Sequence, residues 1–252
     1  KELHGRHHHD LNQNYVDKEA SNKWLQSGEI YAETEGFMLA IQDQVISTRN
    51  YLKFIIKDPT VTNDKCRKCH MSSETIQHII SGCKLLANSD YLNRHNKLAN
   101  IIHSKLATKY QLLTSTEPYY KYTAEPVLEN SQVKIYYDRT ILTDKHIPNN
   151  RPDITFVDKT KRITYLIDIS VPLSDNIQKV ISEKLSKYSD LSIEINRLWK
   201  MEKTVVVPIV LSSTGVIPKQ LHQALKVIEL PSHLFITLQK AVILDTCHIV
   251  RR

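Results

Sequence analysis

Glycine is scarce, with five residues in a chain of 252. Loops that cradle phosphate need glycine so that the backbone can approach the ligand. Neither a G-x-G-x-x-G nor a G-x-x-x-x-G-K-S/T pattern occurs. A nucleotide cofactor or an ATPase activity is therefore a poor reading. Long hydrophobic runs are missing too. No stretch approaches the ~20 apolar residues that span a bilayer, so neither a transmembrane helix nor a membrane partner is expected. The first residues, "KELHGRHHHD", carry neither an initiating methionine nor a secretory signal, and the chain reads as the end of something longer. Its four cysteines are then expected as thiols or metal ligands, because disulfides belong to oxidising compartments. The three consecutive histidines read as a polar solvated segment, with a metal site or a tag remnant as alternatives. What is present in excess is positive charge. Lysine and arginine number 34 against 27 acids, for a net charge of +7 and a pI of about 9.1. That bias favours an anionic partner, most often nucleic acid. An apolar fraction of 41% suffices for a real core.

Hydrophobic periodicity divides the chain. Residues 12–56 carry helical patterns, and Asp58-Pro59 breaks them. A cysteine-rich stretch follows. A long helix is expected from about Asp90 to Tyr110, with Leu92, Leu98, Ile101, Ile102 and Leu106 on its apolar side. Residues 113–130 read as an irregular linker. "QVKIYYD" is a candidate strand, and "DITFVD" and "ITYLIDISVP" form a hairpin across the turn "KTKR". A helix N-capped by Asp175 runs to about Lys200. "TVVVPIVL" is a buried-type strand, and two closing helices finish the chain. The expected units are 1–60 (helical linker), 61–112 (cysteine cluster and long helix), 113–130 (linker) and 131–252. The last is an α/β (α+β) domain whose mixed sheet is flanked by helices.

Cys66, Cys69, His78 and Cys83 form the pattern C-x2-C-x8-H-x4-C. A C-x2-C turn presents two thiolates and an H-x4-C pair presents the other two ligands, which is the donor set of tetrahedral zinc. A structural ion replaces a core that so short a segment does not supply. His70 could replace His78, although its place beside Cys69 strains that choice. Free thiols with a surface histidine are the plainer reading. Lys65, Arg67 and Lys68 flank the knuckle and suit phosphate contact. Cys247, in an apolar helix, reads as core.

Two aspartates sit in apolar strand sequence. Asp153 opens one hairpin strand and Asp168 lies in the middle of the next. Strand interiors disfavour aspartate, and an unpaired buried carboxylate is costly. Carboxylates on adjacent strands can converge on a hard cation such as Mg2+ or Mn2+, which offsets that cost. The alternative is an ordinary strand aspartate with an arginine partner or facing water. On the following helix, Ile177, Ile181, Tyr188, Leu191, Ile195 and Leu198 share one side at ~100° per residue. Lys184 falls in the middle of that side, with Lys187 near its edge. Either Lys184 snorkels or it points at the aspartates, where an ammonium stabilises charge on a phosphate.

Two acids on a hairpin and a lysine on the next helix have the form of the PD-(D/E)-x-K nuclease core. One departure is that Ser170 stands where the usual lysine would be. The chain resembles the C-terminal region of site-specific non-LTR retrotransposon polyproteins that carry a restriction-like endonuclease. The resemblance rests on "CRKCHMSSETIQHIISGC", "NRPDI", "YLIDISVP", "EKLSKY" and "VVVPIVLSSTGVIPK". It implies a module that nicks target DNA to prime reverse transcription, acting in the nucleus on target DNA and element RNA. A reverse transcriptase would precede it in the same polyprotein. The resemblance further implies Asp153 and Asp168 as ligands of a catalytic Mg2+ or Mn2+, and Lys184 or Lys187 as the helix-borne catalytic lysine. Tyr188 and Arg151 would be accessory, Arg151 on the nucleic acid. The N-terminal helices, with Arg49, would touch nucleic acid as the tail of a polymerase thumb. The alternative function is a non-catalytic, zinc-containing nucleic-acid-binding remnant.

Overall fold

Residues 5–113 and 117–252 are described by the structure, a computed structural model. The expected linker therefore lies outside the described residues at 114–116. Its remainder holds a strand that has no period of its own. β1 (Val127–Glu129) pairs antiparallel with β2 (Val133–Tyr137), so part of the segment read as irregular is the edge of the sheet. Three residues make a marginal strand alone, and the pairing of Val127, Leu128 and Glu129 with Tyr136, Ile135 and Lys134 fixes it.

The sheet has five strands in sequence order. β3 (Ile154–Asp158) and β4 (Ile163–Ser170) form the expected hairpin, and β5 (Lys203–Val210) pairs parallel to β4. A parallel neighbour needs a crossover. Two helices supply it, α3 (Ile177–Lys187) and α4 (Ser189–Leu198). The single helix expected over this span breaks at Tyr188, whose φ of −108° and ψ of 12° leave the helical region. The expected cap also shifts. Asp175 lies in a short 3-10 turn and pairs with Arg6 at 2.7 Å, while Asn176 takes the cap position without a side-chain bond.

Alternation along β4 assigns its faces. Tyr165, Ile167 and Ile169 join Leu98, Ile101, Ile102 and Leu106 of α2 (Leu92–Lys109) in the main core. α5 (Lys219–Val227) and α6 (Leu234–Arg251) complete that layer with Leu221, Leu225, Leu238 and Val242. Leu166 points the other way and packs on Tyr188, Leu191 and Ile195. Asp168, two residues on, shares that second face. Within α2, Leu92 departs from the expected apolar side and is 46% exposed.

The N-terminal third is a series of short helices, among them Arg6–Leu11 over the histidine run and α1 (Ala32–Gln42). It is tied to the rest of the chain. Asp17 donates its N–H to the Ile217 carbonyl at 2.9 Å, and Trp24, Met38 and Ile41 pack on Ile243 and Cys247 of α6. Scarce glycine leaves a mark here. Among the described residues nine non-glycine residues adopt positive φ, including His70 at 56° and Asp138 at 49°. Each such turn costs on the order of 1 kcal/mol. The turn after β5 does use glycine. Gly215 has a φ of 83°, and a Cβ there would meet Ile243 at 3.4 Å. No helix among the described residues is long and apolar enough to cross a membrane.

Candidate functional site

Two side-chain clusters carry chemistry. In the first, the ligand atoms of Cys66, Cys69, His78 and Cys83 all lie within 4.8 Å of one another. An ideal tetrahedron of ~2.3 Å bonds has edges of about 3.8 Å, so the four can hold a metal ion such as zinc. Local structure builds the cluster. Cys66 N–H donates to the Ser72 carbonyl and His70 N–H to the Cys66 carbonyl, both at 2.9 Å, closing the knuckle. Lys68 N–H donates to Cys66 Sγ at 3.4 Å. His78 follows on a helical turn capped by the Thr75 hydroxyl, and its Nε2 lies 3.4 Å from Cys69 Sγ. His70 is exposed and stands outside the group. Backbone amides of Ser72 and Met71 draw the Cys69 thiol down to about 6, toward the thiolate that binds metal, whereas burial pushes Cys83 up. Cys247 is core, 1% exposed.

The basic residues assigned to nucleic acid gather partly around this knuckle. Arg49 reaches the Lys65 carbonyl at 3.3 Å, and Lys65 Nζ donates to the Met71 carbonyl at 3.0 Å. Arg67 is drawn onto Glu74, which is 2% exposed. Glu74 also accepts the Arg49 N–H at 2.9 Å and the Arg67 N–H at 2.6 Å, so it clamps the knuckle from inside. Lys68 is exposed and makes no ion pair among the described residues. Arg151 stands apart, forked on Asp138 at 2.7 and 2.6 Å.

The second cluster lies where β3, β4, α2 and α3 meet. Ile154 pairs with Ile167, so the next step outward sets Asp153 across from Asp168. Asp153 Oδ2 accepts the Ile169 N–H at 2.6 Å and faces His95 Nε2 at 3.0 Å. Asp153 Oδ1 accepts no hydrogen bond among the described residues. Burial alone would raise the Asp153 carboxyl, but His95, the Ile169 amide and the Lys184 charge outweigh it and hold it below the usual range. His95 is the converse. Burial would lower it, and Asp153 raises it.

Asp168 is 2% exposed. Its Oδ1 accepts from the Tyr188 hydroxyl and lies 3.4 Å from Lys187 Nζ. Its Oδ2, buried and without a directed hydrogen bond, forms an ion pair with Lys184. Both candidate lysines therefore reach the same carboxylate from the last turn of α3, where the helix dipole also favours cations. Lys187 additionally donates to the Tyr188 hydroxyl at 2.8 Å. Burial first, then the Asp168 charge, push the Tyr188 phenol up, so its proton stays on. The helix break at Tyr188 aims this hydroxyl back at the sheet.

His95 carried no motif in the sequence. It lies 58 residues from Asp153, and its only sequence signal is a polar position near the start of an amphipathic helix. It also lines a cleft of about 500 Å³ between α2 and α3, with Arg94, Ser170, Asn176, Lys179 and Glu183. Ser170, where the nuclease pattern would have lysine, thus opens onto the cleft.

The acid pair fits a hard divalent ion by its chemistry. It offers two carboxylates, one with a free oxygen and one whose buried oxygen answers only to an ammonium. Among the described residues, however, only the Cys/His cluster brings three or more such ligands together. The chain is a mixed α/β protein with a candidate Cys3His metal centre and a separate carboxylate–lysine cluster. No family model and no curated protein matches it.

Proposed function

We propose that the chain is a metal-dependent DNA endonuclease module of a retrotransposon polyprotein, built on a restriction-endonuclease-like core and steadied by a structural zinc ion. The observation that carries this reading is the meeting of Asp153, Asp168 and Lys184 at one end of a β-hairpin. Asp153 Oδ1 and Asp168 Oδ2 would hold Mg2+ or Mn2+. Such an ion would activate a water and neutralise charge on the phosphoryl oxygens.

The remaining work falls to the chain. Lys184 pairs with the Asp168 carboxylate, and its ammonium would stand beside a bound phosphate to stabilise transition-state charge. Lys187 and the Tyr188 hydroxyl keep Asp168 from rotating. The cleft bordered by His95 and Ser170 would take a strand beside the cluster, which it meets through the contact of His95 with Asp153. Lys68 and the other knuckle cations contact phosphates outside it, which fixes orientation rather than sequence. This reading puts the protein in the nucleus, beside a reverse transcriptase of the same polyprotein.

One observation favours a second reading, a non-catalytic nucleic-acid-binding module. The knuckle's basic residues form a patch independent of the acid pair. Supercoiled DNA separates the two readings. Nicking that needs Mg2+ or Mn2+, in zinc-supplemented buffer, supports the endonuclease. Binding that persists in EDTA with zinc restored, with no nicking under any metal, supports the binding module instead.

A further inference from the structure

His95 belongs to α2, the helix that leads away from the cysteine cluster, yet its imidazole ends on a carboxylate of the sheet. Nε2 meets Asp153 Oδ2 at 3.0 Å and Nδ1 meets Asn96 Oδ1 at 3.1 Å. Oδ2 already takes the Ile169 amide at 2.6 Å. Two donors on one oxygen stop the carboxylate from rotating about its own axis and leave Oδ1 as the outward oxygen. Partners of this kind orient a ligating group without touching the ion.

The helix that carries His95 is held from two sides. Tyr91, one helical turn earlier on the same face, donates its hydroxyl to the Ile79 carbonyl at 2.6 Å and accepts the Cys83 N–H at 3.1 Å. Arg94, buried, bonds the Ile80 carbonyl at 2.8 Å and the Thr246 hydroxyl at 2.9 Å. Leu98, Ile101 and Ile102 seat the next turns of α2 on the sheet. The helix therefore has little freedom to rotate or slide, and the imidazole is delivered to a fixed point. The side chain remains 26% exposed at the cleft, so its reach to Asp153 is not simply the filling of a core position.

The geometry points to His95 as a positioning residue that fixes Asp153 Oδ2 through Nε2 and so presents Oδ1 to a divalent cation. This inference rests on the endonuclease reading, since it is that reading which gives Asp153 a metal to bind. It adds a residue outside the acid–lysine constellation and makes the zinc-proximal helix part of the catalytic centre.

The test uses the full chain loaded with zinc, without nucleic acid. Free Mn2+ is followed by electron paramagnetic resonance for wild type, His95→Ala and His95→Gln, with zinc content checked in each. His95→Ala is expected to weaken Mn2+ binding by about 10- to 100-fold. His95→Gln keeps an N–H near the Nε2 position and is expected to return to within about threefold of wild type. A metal-free readout accompanies it. In His95→Ala the Ile169 amide should exchange with solvent roughly tenfold faster, while Tyr165 and Ile167 inside the ladder keep their protection. Mn2+ binding by His95→Ala at wild-type strength overturns the inference, and so does a glutamine variant as weak as the alanine one. If wild type binds no Mn2+, the endonuclease reading falls. The amide readout then decides the contact by itself, and unchanged Ile169 exchange overturns the positioning role.

Discussion

Replacing Tyr188 by phenylalanine removes one oxygen atom from the centre of the carboxylate–lysine cluster. The ring is fully buried against Leu166, Leu191 and Ile195, and phenylalanine keeps that packing, so no cavity opens. What is lost is the hydroxyl's bond to Asp168 Oδ1, its longer contact with the Arg151 carbonyl at 3.3 Å and its acceptance of Lys187 Nζ at 2.8 Å. A hydrogen bond to a charged group contributes about 1.5–3 kcal/mol. Lys187, already 3.4 Å from the same oxygen, recovers part of it. The expected loss is about 2 kcal/mol, toward the middle of that range. With an unfolding entropy of ~2.1 cal/mol/K per residue, that corresponds to a melting shift of roughly 4 °C for a chain of this length. Urea titration in zinc-containing, magnesium-free buffer measures the first quantity and calorimetry the second. A double-mutant cycle with Asp168→Asn should return a coupling of at least ~1 kcal/mol. A Tyr188→Phe variant within ~0.5 kcal/mol of wild type, or additive with Asp168→Asn, would show that the hydroxyl does not hold the carboxylate.

Two further outcomes follow from other parts of the structure. Cys83→Ser should lose the knuckle's metal, read by elemental analysis, and should lower stability by more than ~3 kcal/mol, because structural zinc ions contribute directly to folding. The loss should reach beyond the knuckle, since Ile249 of α6 packs against Cys66 and Cys83; a melting curve unchanged from wild type contradicts this. His103 tests the pH dependence of the main core. It is fully buried, and burial lowers it to about 4. Between its unfolded value near 6.5 and about 4 the unfolded chain binds a proton that the folded chain refuses, so stability is full above 6.5 and falls as pH drops through this window. Over 2 or so pH units the difference approaches ~3 kcal/mol. His103→Asn should flatten this acid limb relative to wild type in urea midpoints taken from pH 7 to 4.5, and parallel curves for the two proteins would refute it.

What the sequence made legible is what local chemistry determines. The cysteine cluster is readable because ligand spacing is set by two short turns, and Cys66, Cys69, His78 and Cys83 all lie within eighteen residues of sequence. Asp153 and Asp168 are readable because a hairpin's register follows from its turn, and Lys184 because helical periodicity exposes a charge on an apolar face. The misses are long-range. β1 exists only through its pairing with β2, and no pattern in Val127–Glu129 announces it. The break at Tyr188 lies within an apolar period that continues from Ile181 to Leu191, and it accompanies the hydroxyl's bond to Asp168, twenty residues away in sequence. Glu74 accepts two backbone amides and the Arg67 guanidinium, one of the amides coming from Arg49, 25 residues earlier. His95 meets Asp153 only because α2 lies across the end of the hairpin, which the sequence of α2 does not state.

The most direct measurement is single-turnover nicking of supercoiled DNA with Mg2+ by the isosteric variants Asp153→Asn and Asp168→Asn, each shown to be folded and zinc-loaded. Each substitution preserves size while removing the charge that would hold the cation. Either one is expected to slow nicking by roughly a thousandfold, as removal of a group that stabilises transition-state charge does. Nicking at the wild-type rate by either variant would contradict the assignment of the catalytic centre to these carboxylates.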